Sequence, residues 1–85
     1  MEITTTGLIR IIEKERRRRQ LNQGAFAKLL GISEPYYSMV KTGERRPNLK
    51  MLTIFKQRLP EISRYVDQYL NYVTGNDHET IQKEE

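Results

Sequence analysis

The sequence predicts an all-α fold of five helices, and three observations carry that prediction. Apolar residues recur at three- and four-residue spacings, and no stretch alternates strictly enough for a half-buried strand. Two of the apolar segments are short, and only Gly31 and Ile32 stand between the first of them and Ser33, which caps the second. Positive charge is concentrated around them: residues 1–59 hold thirteen Lys/Arg against five Asp/Glu, whereas residues 60–85 hold two against six.

The first helix is expected over residues 5–19. Thr4, Thr5 or Thr6 supplies a hydroxyl for the unpaired first-turn amides. Leu8 and Ile12 share a face, which Ile9 and Ile11 widen. The following charges, Glu13 to Arg19, read as a solvated face with Arg16 as the exception. The second helix starts at Gln23 behind the cap Asn22, buries Phe26, Leu29 and Leu30, and ends at Gly31, where left-handed backbone costs glycine little. Gly24 within it costs about 0.5–1 kcal/mol relative to alanine.

The third helix spans residues 34–41. Glu34 suits the positive end of the dipole, and Pro35 is tolerated where first-turn amides lack partners. Tyr37 and Val40 face inward, leaving Glu34, Pro35, Ser38 and Met39 outward. Thr42-Gly43 stops it, and a basic loop through Pro47 follows. Asn48 caps a fourth helix to residue 59, with Leu49, Leu52, Phe55 and Leu59 inward. Pro60 opens the fifth helix, whose stripe of Ile62, Tyr65, Val66, Tyr69, Leu70 and Val73 is the clearest in the chain. Gly75-Asn76 is expected to end it. Residues 1–74 therefore read as one domain, and residues 75–85 as an acidic, disordered tail.

Composition excludes more than it assigns. The 85 residues suffice for one small domain. No apolar run exceeds three residues, so neither a transmembrane span nor a secretory signal is expected and the cytoplasm is the default compartment. There is no cysteine, and His78 is the single histidine, which removes thiol nucleophiles, zinc clusters and histidine-centred catalysis. No cofactor, metal or small-molecule ligand is implied. A basic body with an acidic end suits a polyanion binder, although membranes and acidic proteins also attract basic patches.

The segment at residues 21–52 resembles the phage-repressor/Cro-type (XRE-like) helix-turn-helix family. Asn22, Gln23, Phe26, Ala27, Leu30, Gly31, Ile32, Ser33, Val40, Gly43, Arg45 and Pro47 stand at the family's spacings. The resemblance covers about residues 5–59 and implies a lambda-repressor-like domain that binds double-stranded DNA. It departs in three places. Lys41 replaces the usual Glu, which is expected to free Arg16 for phosphate. Gly24 replaces a better helix former, and Lys56 a small buried residue, so Lys56 is expected either to snorkel or to report a rotated fourth helix.

What the resemblance implies for the site is specific. Glu34, Pro35, Ser38 and Met39 fall at base-reading positions of a helix lying in the major groove. Glu34 can accept from a cytosine amino group, or merely complement its helix dipole. Pro35 offers only apolar contact, and Met39 is either a groove contact or core filler. Arg16, Asn22, Gln23, Tyr36, Lys41, Thr42, Arg45, Arg46, Asn48 and Lys50 are expected along the backbone, where contacts fix register without reading sequence. Family members usually dimerise on paired half-sites. The fifth helix, through Ile62, Tyr65, Tyr69 and Tyr72, is the expected homodimer interface unless it only closes the core. The leading expectation is a sequence-specific transcriptional regulator, a repressor on a (pseudo)palindromic operator. The rival is an antitoxin or adaptor module with secondary DNA binding. An enzyme finds no supporting constellation.

Overall fold

Four of the five helices begin at a side-chain cap, which is why their starts match the expected positions closely. The computed structural model describes residues 3–76. In α1, Thr5–Arg18, the hydroxyl of Thr4 accepts from the Gly7 amide at 3.0 Å. Asn22 accepts from Ala25 at 2.7 Å to open α2, Gln23–Leu30. Ser33 accepts from Tyr36 at 3.2 Å to open α3, Glu34–Thr42. Asn48 accepts from Met51 at 2.9 Å to open α4, Leu49–Arg58. Gly31 and Gly43 end α2 and α3 in left-handed backbone, with φ of 76° and 89°. Among the described residues there are only helices and turns.

The start of the last helix differs from expectation. Leu59 leaves the helical region, and Pro60–Ile62 forms a 3-10 turn before α5, Ser63–Asn76. Leu59 keeps its amide bonded to the Phe55 carbonyl at 2.8 Å, so the chain bends there without losing that bond. Pro60, which has no amide to donate, then opens the turn. The helix also passes through Gly75 to Asn76, where a stop was expected. Of the tail expected at residues 75–85, the first two residues belong to this helix, and residues 77–85 lie outside the described residues.

The helices wrap one core of Leu8, Ile12, Phe26, Leu30, Val40, Leu52, Phe55 and Val66, among others. Phe26 of α2 meets Tyr37 of α3 edge to face, with centroids 5.5 Å apart, worth about 0.5–1.5 kcal/mol beyond burial. In α4 the inward set is Met51, Leu52 and Phe55, continued by Leu59, while Leu49 stays 44% exposed. The inward assignment of Leu49 is thus corrected, and Met51 takes its place. Lys56 does not snorkel under the core; it is exposed and bonds Asp67 of α5 at 2.8 Å.

The dimer-interface expectation is also corrected in part. Ile62 and Tyr69 are buried in the chain's own core, at 6% and 3% exposure. The Tyr69 hydroxyl hydrogen-bonds Thr5 Oγ1 at 2.8 Å, joining α5 to the start of α1. Those two side chains close the monomer and have no surface to offer a second copy. Tyr65 remains half-exposed, under the Arg64 guanidinium at 5.0 Å, and the side chain of Tyr72 lies outside those described.

Candidate nucleic-acid interface

The short Gly31-Ile32 link joins α2 to the cap of α3, and the surface of α3 falls into four strips. Tyr37 and Val40 are buried against the core. Opposite them, Pro35, Ser38, Met39 and Thr42 form the outward strip, with Pro35 and Thr42 exposed and Ser38 and Met39 half-buried. One flank faces the first turn of α2. There Glu34 lies against Gly24, and Lys41 Nζ donates to Gln23 Oε1 at 3.1 Å. The other flank carries Tyr36, whose ring lies 5.7 Å from the Arg45 guanidinium, close enough for cation–π attraction.

Two open grooves touch α3, one near each end. One, about 420 Å³, is bounded by Thr6, Ile9, Arg10 and Arg17 of α1 and by Lys41 and Thr42. The other, about 310 Å³, is bounded by Ser33, Tyr36, Arg45, Asn48 and Lys50. Arg10, Arg17 and Lys41 line the first groove, with Glu13 among them, and Arg45 and Lys50 line the second, so cations adjoin α3 near both its ends. Arg45 and Arg46 are exposed in the loop after α3, and the Arg45 amide bonds the Met39 carbonyl at 3.1 Å.

Several side chains are already committed in ways that define what they can still do. Asn22 and Asn48 spend their side-chain oxygens on helix amides, which leaves their NH₂ groups as donors. Gln23 accepts from Lys41 through its oxygen, so this pair keeps the Gln23 NH₂ and the other Lys41 N–H groups as donors, the chemistry an anion needs. Thr42 donates back to the Met39 carbonyl at 3.3 Å and must rotate before it can donate elsewhere.

Arg16 is the clear correction. Replacing the family's Glu by Lys41 does not release it. Its Nη2 donates to Glu13 Oε1 at 2.8 Å and its Nη1 to the Leu21 carbonyl at 2.8 Å. Glu13, 7% exposed, also accepts from the Tyr37 hydroxyl at 2.5 Å. Burial opposes the charge on Glu13, but the bonds from Arg16 and Tyr37 outweigh it and hold the carboxyl below its usual range. Burial, reinforced by that same carboxylate, pushes the Tyr37 hydroxyl far upward. This network ties the inward face of α3 to α1.

Nearby, the bond from Arg18 outweighs burial and, with Arg19, lowers Glu15 to about 2. Arg19 also reaches Glu61 at 2.9 Å, pinning α1 to the turn before α5. The Glu13–Arg19 run is thus partly an internal ion network and not simply a solvated face. Within it Arg17 is the one cation that lines a groove beside α3, together with Glu13, and Arg10 joins them there. Neither is legible in the sequence as a groove cation. Each is one more charge on a polar helix face, and which neighbour that face borders is decided by residues far away in the chain.

Two helices joined by a left-handed glycine, the second offering an outward strip with cations near both its ends, define a helix-turn-helix domain. The helix-turn-helix family's profile matches residues 12–55, more than half of the chain, and the chain belongs to that family, of the XRE/Cro-like kind. It is a DNA-binding transcription regulator of that kind. Searches of curated proteins and of solved structures returned no match. No helix among the described residues is long and apolar enough to cross a membrane.

Proposed function

We propose that the chain is a sequence-specific repressor that lays α3 in the major groove of duplex DNA and grips the flanking phosphates with the cations beside it. The observation that carries this is the outward strip Pro35–Ser38–Met39–Thr42 on a helix with cations near both its ends, Arg45 and Lys50 in the groove at Ser33 and Tyr36, and Arg10, Arg17 and Lys41 in the groove at Thr42. A major groove about 12 Å wide admits one helix, and its walls are phosphates.

Within this reading Glu34, Pro35, Ser38 and Met39 face bases. Glu34 accepts from a cytosine amino group, and Pro35 and Met39 contact apolar groups such as a thymine methyl. Gln23, Lys41, Asn22 and Thr42 meet phosphate on one flank, and Tyr36, Arg45, Arg46, Asn48 and Lys50 on the other. Arg10 and Arg17 join the first set, and Arg16 leaves it. One helix reads only a few base pairs, so two copies on paired half-sites supply the remaining specificity. Occupancy alone blocks a competing protein, which is how a repressor acts, and the reading places the chain in the cytoplasm.

The test is binding to random and selected duplexes across a salt series. Random duplex binds in a salt-sensitive manner, and the selected operator binds roughly a thousandfold or more tighter. Two half-sites in that operator support the dimer. An absent ratio overturns the reading in favour of an adaptor whose DNA binding is secondary.

A further inference from the structure

Gly24 is the second residue of α2, yet its backbone is ordinary helix, unlike the left-handed Gly31 and Gly43. Nothing in its conformation requires glycine, and in a helix glycine is less stable than alanine. The reason lies in what surrounds it. A Cβ here would stand 3.1 Å from Glu34 Oε1 and 3.6 Å from Glu34 Cδ, the first of these tighter than ordinary van der Waals contact. The missing side chain is a notch, and the Glu34 carboxylate lies in it.

We propose that Gly24 is a positioning residue for base recognition: its notch fixes the Glu34 carboxylate at the leading edge of α3 and so determines the base that Glu34 reads. Glu34 is exposed and is the first residue of α3. Its side chain has several rotatable bonds, and a hydrogen bond to a base edge demands a defined oxygen position. With position 24 empty the carboxylate can rest against α2, whereas a side chain there would push it aside and change where its oxygens stand when DNA arrives. This inference rests on the reading of α3 as the groove helix.

The test is randomised-duplex selection with wild type, Gly24→Ala, Gly24→Leu, Glu34→Ala and the double variant Gly24→Leu/Glu34→Ala, with thermal midpoints beside it. Glu34→Ala flattens one base position of the operator by about fivefold or more, the low end of one base contact. Gly24→Leu, filling the notch, flattens the same position to the same extent, and the double variant is no worse than either single one. Gly24→Ala weakens that position less while its thermal midpoint holds or rises, which separates positioning from folding. A Gly24→Leu chain that keeps the wild-type preference, or loses affinity evenly over all sequences, overturns the proposal. So does a wild-type operator that Glu34→Ala leaves unchanged, and then Gly24 falls while the DNA reading stands. Failure of the wild-type chain to select any sequence overturns both.

Discussion

Tyr37 shows how one side chain can tie α3 to both α2 and α1. Its ring packs on Phe26, and its hydroxyl donates to Glu13. Tyr37→Phe leaves the buried Glu13 short of a donor, at an expected cost of about 1–3 kcal/mol in urea unfolding. Gln20 is a different case: it holds φ of 59° in the turn between α1 and α2 without being glycine. Left-handed backbone costs a residue with a Cβ about 1–2 kcal/mol. Gln20→Gly is expected to gain up to about 1 kcal/mol, the greater freedom of the unfolded glycine offsetting the rest. A lower melting temperature would contradict that accounting.

Helix registers can be tested by paired substitutions. In α4, Met51→Ala opens space in the core and costs about 2–5 kcal/mol. Leu49→Ala acts at a partly exposed site and costs less. Equal costs would mean α4 is turned from the position described. The reversal was not readable from sequence, because both residues lie near the edge of the same apolar stripe. Which one turns inward depends on where α4 crosses its neighbours.

The acidic side of α1 has a pH signature. Glu15 moves from an ordinary value of 4.5 to about 2, and Glu13 moves in the same direction. A carboxyl lowered on folding adds stability above its unfolded value and loses it as pH falls toward the folded one. The melting temperature is expected to stay level above about pH 5 and to fall between 4.5 and about 2. Glu15→Gln should lower it at pH 7 and make the acid fall shallower.

For the whole molecule, charge distribution governs how DNA is met. Arg10, Arg17, Lys41, Arg45, Arg46 and Lys50 line or adjoin the two grooves. If each neutralises one phosphate, log affinity falls against log salt with a slope of about −5. Replacing both Arg45 and Arg46 by Ala should weaken binding to all sequences and flatten that slope by about 2. Unchanged binding removes them from the interface. Ile62 and Tyr69 are spent on the monomer core, so any dimer on α5 must use other side chains, and Tyr69→Ala should lower stability before it alters assembly.

Sequence alone determined the helix count, the caps, the glycine stops and the family, because these are local. A cap joins residues three apart, and a left-handed stop concerns one backbone. Only the tertiary structure decided that Arg16 is held by Glu13, that Gly24 makes room for Glu34, and that Ile62 and Tyr69 face inward. Those outcomes depend on how helices cross, and a crossing angle is set by packing among residues far apart in the chain.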